Sequence, residues 1–249
     1  MVVPAYKQEE TIEKDIKTLS QVLSKLPYDF EILVVDDGSP DKTLKNIKRQ
    51  TLNLKNLKVF SYKTNMGKGF ALKYGVKEAK GDVIGFIDAG MDIDPSEISI
   101  MLDIMDWNNA DIVIGSKLHP DSKVNYPLAR KILSWGYRTL THILFGFKVR
   151  DTQVGLKLFK RKVAKDVFAR IIVKRFAFDI EVLAVAYKLG YTKIYEAPIK
   201  LNFTGASSIT AANFWRTIFW MLWDTAAVYY RLKILHYYDK KLPEGRSKS

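Results

Sequence analysis

The stretch DVIGFIDAGMDIDP, residues 82–95, decides the fold class of this sequence. Its apolar run Val83–Ile87 is typical of a buried strand, and it ends abruptly at Asp88. Two more carboxylates, Asp92 and Asp94, follow before a proline. Like charges repel at this spacing, and burying an unpaired carboxylate is costly. The stretch therefore predicts either a solvated loop that caps the next helix or a cation site at the end of a strand.

Strand and helix patterns alternate on both sides of this stretch. A helix is predicted before it, in GFALKYGVKEAKG, and another after it, in PSEISIMLDIMDW. Further strands are predicted in VVPA, FEILVVDD, LKVFSY and ADIVIGS, and further helices in ETIEKDIKTLSQVLSKL and DKTLKNIKRQ. Strict alternation of this kind indicates an α/β fold, in which a mostly parallel, Rossmann-like sheet is flanked by helices on both faces.

The alternation ends after residue 117. The pattern then predicts an amphipathic helix over 128–147, a strand in DTQVGLKLFKR, a helix in FDIEVLAVAYKLG and an edge strand containing Pro198. The last long segment, 213–235, is rich in Trp and Tyr, which favour membrane interfaces. We expect it to form an amphipathic interfacial helix, and a helix docked on the core is the alternative.

Composition limits the chemistry that this chain can perform. The 249 residues include no cysteine and three histidines, so disulfides, thiolate metal sites and cysteine nucleophiles are excluded, and any metal is expected to have oxygen ligands. The N-terminal sequence MVVPAYKQEE predicts no secretory signal peptide. No segment reaches the run of about 18 uncharged apolar residues that predicts a transmembrane helix.

Positive charge is concentrated in one part of the sequence. Residues 1–122 hold 16 Lys and Arg against 19 Asp and Glu, whereas residues 123–175 hold 14 basic residues against Asp151 and Asp166 alone. Such a basic block predicts an anionic partner. Nucleic acid, a phosphorylated substrate and an anionic membrane surface all fit this charge.

The predicted strand ends share an unusual set of residues. Acids, glycines and lysines occur at four of them, 36–39, 64–69, 88–90 and 115–117, and the first predicted strand ends in Pro4, Ala5 and Tyr6. Asp and Gly are common after any strand because they form turns. Ligands bind beyond the carboxyl ends of the strands in parallel sheets, however, and four such turns at one edge favour a binding site.

Five motifs resemble those of family 2 glycosyltransferases in order and spacing: VVPAYKQEETI, VVDDGSPDKT, NMGKGFALKYGVKEAKGDVIGFIDAG, DTQVGLKLFKR and FDIEVL. The resemblance covers about residues 1–205 and is closest to dolichol-phosphate mannose or glucose synthases and polyprenyl-phosphate glycosyltransferases. It implies a GT-A catalytic domain over 1–205, followed over 206–249 by a membrane-interface helix and a basic tail. It also implies inverting transfer of a hexose from GDP-mannose or a UDP-hexose to a dolichyl or polyprenyl phosphate.

The same resemblance implies a Mg²⁺ or Mn²⁺ ion at Asp88. Few protein ligands are needed, because phosphate oxygens and water complete the octahedron. The family pattern is usually Asp-Ala-Asp, but this chain has Gly90 at the second acid, so Asp92 is predicted as the second ligand. Asp94 is expected to cap the helix that starts near Pro95.

For the donor, the resemblance implies contacts to the base and ribose and contacts to the diphosphate. Tyr6 offers a stacking face and Asp37 an acceptor for a base N–H. A solvated side chain is the alternative for Lys68, and simple core packing is the alternative for Tyr6. The predicted nucleotide-sugar residues are Pro4, Tyr6, Gln8, Asp37, Lys68 and Lys157.

For the acceptor, a phosphate is already ionised and needs cations, whereas a hydroxyl would need a general base. The resemblance assigns Lys117, Arg130 and Ser134 to the acceptor phosphate. A soluble transferase with a hydroxyl acceptor and Asp179 as base is one alternative, and a non-catalytic nucleotide- or RNA-binding protein is another. We expect peripheral attachment to the cytoplasmic face of the membrane, no nucleic-acid partner, and a chain that could form a homodimer.

Overall fold

The computed structural model describes residues 1–124, 128–175, 177–201 and 214–239. The strands are β1 Val2–Ala5, β2 Ile32–Asp36, β3 Leu57–Ser61, β4 Val83–Ile87, β5 Ile112–Ser116, β6 Lys123–Val124, β7 Leu156–Lys160, β8 Ile194–Pro198 and β9 Lys200–Leu201. The helices are α1 Ile12–Leu23, α2 Thr43–Thr51, α3 Lys68–Glu78, α4 Glu97–Trp107, α5 Leu128–Phe145, α6 Arg161–Arg170, α7 Phe178–Lys188 and α8 Phe214–Lys233. A 3₁₀ turn, Tyr237–Asp239, follows α8.

Seven strands form the central sheet, in the order β3-β2-β1-β4-β7-β5-β8. Strands β1, β2 and β3 run parallel, as do β1 with β4 and β5 with β8. The α/β alternation predicted from the sequence is confirmed, and Pro198 lies on the edge strand β8, as expected. Helix α6 was not predicted. The expected domain boundary at 205 falls outside the described residues and stays a prediction.

Strand β7 is antiparallel and lies between β4 and β5. Its register places Leu156 opposite Ile87, at the carboxyl end of β4. The residue before β7, Gly155, accepts a hydrogen bond from the amide of Asp88 at 3.1 Å. A segment remote in sequence therefore supports the backbone of the acidic strand end.

Apolar side chains cover both faces of the sheet. On one face, Val2, Phe86 and Phe159 pack with residues of α3, α6 and α7. On the other face, Val3 and Val34 pack with residues of α1 and α4. A strand buried on both faces, such as β2, is expected to be a continuous apolar run, which is what ILVVD provides.

Helix α8 docks on the rest of the molecule through one side of its C-terminal half. Thr225, Val228 and Leu232 are buried, and the Thr225 hydroxyl lies 2.6 Å from the hydroxyl of Tyr137 on α5. The helix predicted over 213–235 is confirmed. The docked alternative is correct for this half, whereas apolar side chains remain exposed elsewhere on the helix: Phe219, Trp220, Leu222, Trp223 and Tyr230.

Candidate active site

The carboxyl ends of β1, β2 and β4 meet at one edge of the sheet, as parallel pairing requires. Ala5 lies beside Asp36 in the register of β1 and β2, and the chain continues into Tyr6 and Asp37. The glycine loop 64–69 leads from β3 into α3, and Asp88 follows β4. The predicted strand-end cluster is therefore assembled in space.

Asp88 is half-exposed at this edge, and its carboxylate Oδ1 lies 2.5 Å from the ammonium of Lys68. On its other side the carboxylate rests against Gly155, where a Cβ would lie 2.2 Å from Oδ2. Asp88 can hold this position only because residue 155 has no side chain.

Lys68 is the first residue of α3 and points into the site. Its ammonium lies 5.3 Å from the centre of the Phe178 ring, in addition to the ion pair with Asp88. Burial opposes the charged form, but the carboxylates of Asp88 and Asp179 outweigh it and raise the pKa of Lys68. The alternative of a freely solvated lysine does not describe this side chain.

Lys157 takes a different place from the one predicted. Its side chain is 0% exposed, and its ammonium donates to the carboxylate of Asp179 and, at 2.6 Å, to the carbonyl of Val154. Burial lowers the pKa of Lys157 and raises that of Asp179. This burial does not fit the predicted contact of Lys157 with the nucleotide sugar: the side chain lies beneath the site and orients Asp179. Asp179 itself is buried and paired with Lys157.

Asp37 is tied to the glycine loop through its carboxylate. Its Oδ1 accepts hydrogen bonds from the Tyr62 hydroxyl and the Met66 amide, both at 2.7 Å. Its Oδ2 accepts from the Asn65 side chain and the Gly67 amide, both at 2.9 Å. Four donors bind this buried carboxylate, so Asp37 orders the glycine loop, and its contact to a base N–H stays a prediction.

The neighbouring carboxylate, Asp36, was missed from the sequence. It is buried, and its Oδ1 has no hydrogen-bond donor among the described residues. Burial raises the pKa of Asp36, although the Ser39 amide donates to the other oxygen of its carboxylate. The available signal was its position as the last residue of β2, at the edge of the sheet where ligands bind.

The turn after β4 is held by a second missed residue, Asp15 of α1. Its Oδ2 accepts a hydrogen bond from the amide of Gly90 at 2.8 Å, and burial raises the pKa of Asp15. Gly90 has φ +88° and Met91 has φ +46°. The left-handed backbone at 90 favours glycine, which gives a structural reason for the loss of the usual acid there.

The metal prediction rests on few side chains. Asp92 is half-buried and interacts electrostatically with Asp15. Asp94 accepts a hydrogen bond from the Ser96 amide at 2.9 Å, in the turn before α4. The N-cap position of α4 is Ser96, so Asp94 does not cap the helix as predicted. Within the described ranges, no group of three or more His, Cys, Asp or Glu residues is arranged to hold a metal ion.

Some of the residues predicted to surround the nucleotide are accessible to a ligand, and others are buried or bonded within the fold. Tyr6 is 39% exposed, so its ring is available for stacking rather than packed in the core. Pro4 is buried within β1. Gln8 accepts a hydrogen bond from the Thr11 hydroxyl at 3.0 Å, and its backbone amide donates to Thr43.

Lys117 follows β5 and is tethered to the buried Asp151. Its amide donates to Asp151 Oδ2 at 2.9 Å, and its ammonium lies 3.6 Å from the same oxygen. Arg130 and Ser134 lie on α5, but their side chains are outside the described part of the structure. Their assignment to an acceptor phosphate stays a prediction.

The basic block does not form one surface. Lys160 donates to the Asn109 carbonyl, and Arg161 to the Gly81 carbonyl, near the start of β4 and thus away from Asp88. Lys165 donates to three carbonyl groups at the C-terminal end of α3, at 2.7–2.8 Å. These three cations stabilise backbone at the opposite edge of the sheet, so part of the charge that predicted an anionic partner is structural.

No helix in the described ranges is both long enough and apolar enough to cross a membrane.

Known proteins resemble this chain over most of its length. A dolichyl-phosphate beta-glucosyltransferase of Trichomonas vaginalis is 35% identical over 211 residues, which cover 81% of this chain and 65% of that protein. The human dolichyl-phosphate beta-glucosyltransferase is 30% identical, covering 94% of this chain and 75% of that protein. The chain thus spans less than two thirds of the length of the first of these relatives.

A solved structure shares the fold. Glucosyl-3-phosphoglycerate synthase from Mycobacterium tuberculosis, crystallised with Mn²⁺, uridine diphosphate and phosphoglyceric acid, superposes with a TM-score of 0.68 at 19% identity. The match covers 98% of this chain and 78% of that one. The GT-A fold predicted from the sequence is confirmed. The model of the family described as glycosyl transferase family 2 matches residues 1–168, and this chain belongs to that family.

Proposed function

We propose that this protein transfers glucose, with inversion at C1, from a nucleotide sugar to dolichyl or polyprenyl phosphate. The observation that carries the proposal is the half-exposed Asp88, paired with Lys68 at the carboxyl edge of a GT-A sheet. Relatives named as dolichyl-phosphate beta-glucosyltransferases support glucose over mannose. The uridine diphosphate in the crystal of the solved neighbour supports UDP-glucose as the donor.

A divalent ion, Mg²⁺ or Mn²⁺, fits the residues at this edge. Asp88 offers a half-exposed carboxylate, and Asp92 is the second predicted ligand. So few carboxylates suit an ion whose other ligands are phosphate oxygens and water. When bound, such an ion stabilises the charge of a departing nucleoside diphosphate without a proton transfer.

The side chains of the site support a direct displacement. An oxygen of the acceptor phosphate forms the new bond to C1 of the sugar while the bond from C1 to the diphosphate breaks. The acceptor needs no general base because its phosphate is ionised at neutral pH. Lys68 neutralises charge that develops on the leaving diphosphate, and Tyr6 stacks on the base.

The observed burial favours a phosphate acceptor over a hydroxyl acceptor. The alternative transferase needs Asp179 as a general base within reach of the acceptor. Asp179 is buried and its carboxylate is bound by Lys157. Lys117, which follows β5, supplies a cation for the acceptor phosphate. Arg130 and Ser134 are the other residues predicted to bind this phosphate.

An anionic membrane surface is the partner proposed for α8. Phe219, Trp220 and Trp223 form an exposed aromatic face in the N-terminal half of this helix, and Arg175 stacks on Trp220 at 5.0 Å. Aromatic rings with flanking cations suit the interface of anionic lipids. Peripheral attachment at the cytoplasmic face would bring the site to its lipid acceptor. A second copy of the chain on the same face is the competing occupant.

Sugar transfer tests the proposed reaction. Radiolabelled UDP-glucose or GDP-mannose is incubated with dolichyl phosphate, with Mn²⁺ or with EDTA, and organic-extractable product is counted. We expect product from UDP-glucose and Mn²⁺ with the wild type and little with Asp88→Asn. Asp82→Asn, an exposed acid at the opposite end of β4, is the matched control. Donor hydrolysis without lipid product would contradict the acceptor assignment.

Vesicle sedimentation tests the membrane surface. We expect more of the wild type to sediment with vesicles containing phosphatidylserine than with neutral vesicles. The double variant with Trp220→Ser and Trp223→Ser should sediment equally little with both. Trp107→Ser, at an exposed tryptophan that ends α4, is the control. A concentration-dependent dimer that these two substitutions dissociate, without lipid binding, would favour the second copy instead.

A further inference from the structure

Glu181 is a buried carboxylate that the proposed chemistry does not use. It lies in the first turn of α7 and is 0% exposed. Its Oε2 accepts hydrogen bonds from the amides of Ile172 at 2.8 Å and Val173 at 2.7 Å. One carboxylate oxygen therefore fixes the backbone of the connection between α6 and α7.

That connection is in direct contact with the glycine loop. The amide of Gly69 donates to the carbonyl of Lys174 at 2.9 Å. A Cβ on Gly67 would lie 2.3 Å from this carbonyl oxygen, and one on Gly69 would lie 2.5 Å from the carbonyl oxygen of Val173. The backbone on both sides of Lys68 therefore takes its position from residues 173–174.

The other oxygen of Glu181 faces the C-terminal segment. Oε1 accepts a short hydrogen bond from the hydroxyl of Tyr238, in the 3₁₀ turn after α8. The guanidinium of Arg231, on α8, lies 3.8 Å from the same oxygen. Tyr238 is itself buried, so this contact is part of the interface through which α8 docks.

We propose that Glu181 and Tyr238 are positioning residues that couple the docking of α8 to the placement of Lys68 at the donor site. The coupling runs from Tyr238 through the Glu181 carboxylate to the amides at 172–173, and from the carbonyls at 173–174 to the backbone around Lys68. The inference rests on the proposed function for the role of Lys68 in donor binding. It adds that the C-terminal segment helps to set donor affinity.

The coupling depends on the cost of leaving a buried carboxylate without hydrogen-bond donors. Among the described residues, removing the Tyr238 hydroxyl leaves Oε1 with only the distant Arg231, so the buried charge is less well compensated. The carboxylate then gains from moving toward another donor, and the amides that it holds open more often. The phenyl ring of the Tyr238→Phe variant keeps the apolar packing.

Tyr238→Phe is compared with Tyr191→Phe. The hydroxyl of Tyr191 makes an equivalent short hydrogen bond to a carboxylate, that of Asp166, beyond the other end of α7. Hydrogen–deuterium exchange is followed in peptides that cover 67–70 and 171–175. Binding of UDP with Mn²⁺ is measured by titration calorimetry on the same full-length proteins.

We expect Tyr238→Phe to speed exchange in both peptides about tenfold, because a hydrogen bond to a buried charged group is lost. We expect it to weaken UDP binding about tenfold, as outer-shell substitutions at ligand sites commonly do. Tyr191→Phe should leave both measurements within roughly twofold of the wild type. Glu181→Gln should also weaken UDP binding, because an amide offers only one acceptor atom in place of two.

Equal changes in the two tyrosine variants, or unchanged exchange at 67–70 in Tyr238→Phe, would overturn the coupling. A wild type that binds UDP but transfers no sugar to dolichyl phosphate would overturn the proposed function and leave the coupling supported. If the wild type does not bind UDP, the exchange measurement alone decides between coupling and a purely structural role.

Discussion

Two lysine–aspartate pairs lie close together at this site and differ in their access to solvent. In the first pair, Asp88 has a side chain that is 43% exposed and Lys68 one that is 27% exposed. In the second, Asp179 is 7% exposed and Lys157 is 0% exposed. Both lysines interact with Asp179, so the two pairs share one electrostatic environment.

The comparison shows that exposure separates chemical from structural roles within one charge cluster. A half-exposed pair contributes little to stability, because water and salt screen it, but it can exchange its partner for a ligand. A buried pair cannot lose one partner without leaving an uncompensated charge in the interior. The first pair is therefore suited to hold a diphosphate and its metal, and the second to hold the first in place.

The largest expected effect comes from breaking the buried pair. Asp179→Asn should lower the free energy of unfolding by about 3–5 kcal/mol, because the ammonium of Lys157 keeps its burial and loses its counter-charge. Urea unfolding followed by circular dichroism measures the change. The double variant with Lys157→Met and Asp179→Leu should recover most of it. If Asp179→Asn lowers the free energy of unfolding by less than about 1 kcal/mol, the buried pair contributes no more to stability than the exposed pair.

Breaking the exposed pair should strongly reduce sugar transfer and hardly change stability. Asp88→Asn should reduce sugar transfer about 10²–10³-fold, as loss of one preorganised electrostatic partner commonly does. The free energy of unfolding should change by less than about 1 kcal/mol, since the pair is screened by solvent. Initial rates and urea unfolding are measured on the same samples. If the free energy of unfolding falls by as much as the activation free energy of transfer rises, Asp88 has a structural role.

A substitution next to Asp88 sharpens the comparison without removing a charge. Gly155→Ala places a Cβ where the Asp88 carboxylate now lies, so the carboxylate must move by about 1 Å and transfer should fall as much as about 10²-fold. The control is Gly136→Ala on α5, where a Cβ meets no atom within 4 Å. Full activity in Gly155→Ala would show that the position of Asp88 is not critical.

The smallest expected effect concerns Glu181, a buried carboxylate without a lysine. Burial raises the pKa of Glu181 above its ordinary value of about 4.3, so the folded state binds its proton more tightly than the unfolded chain does. The free energy of unfolding should therefore fall as the pH rises from the ordinary pKa through the raised one.

Glu181→Gln cannot titrate and should flatten this part of the stability profile. Urea unfolding between about pH 4 and about pH 8 gives the slope. Glu10→Gln, at an exposed glutamate, should keep the slope of the wild type. An unchanged slope in Glu181→Gln would show that the pKa of this carboxyl is not raised.

Much of the fold followed from local patterns. Continuous apolar runs such as Ile32–Asp36, joined by helices of period 3.6, predicted the parallel sheet and the edge at which its ligands bind. The position of Asp88 followed from the end of its strand. Helix α6 was missed because it starts directly after β7, without a turn signal between them.

The individual contacts of the site did not follow from the sequence, because they join elements far apart along the chain. Asp37 and Lys157 were both assigned to the donor, but folding commits the first to the glycine loop and buries the second with Asp179. Asp36 lies in the motif VVDDGSPDKT, but the motif does not show that its carboxylate is buried, and Asp15 carries no motif. Whether a carboxylate is saturated or available depends on its spatial neighbours.

By itself the sequence determined the family, the α/β class and the edge of the sheet that carries the site, since these depend on periodicity and on the order of motifs. Tertiary structure alone decided which charges reach solvent. The antiparallel β7 brings Gly155 against Asp88 and sets Lys157 beneath it, across about 70 residues of intervening chain. Burial and pairing are properties of contacts in space, and neither charge nor spacing along the chain specifies them.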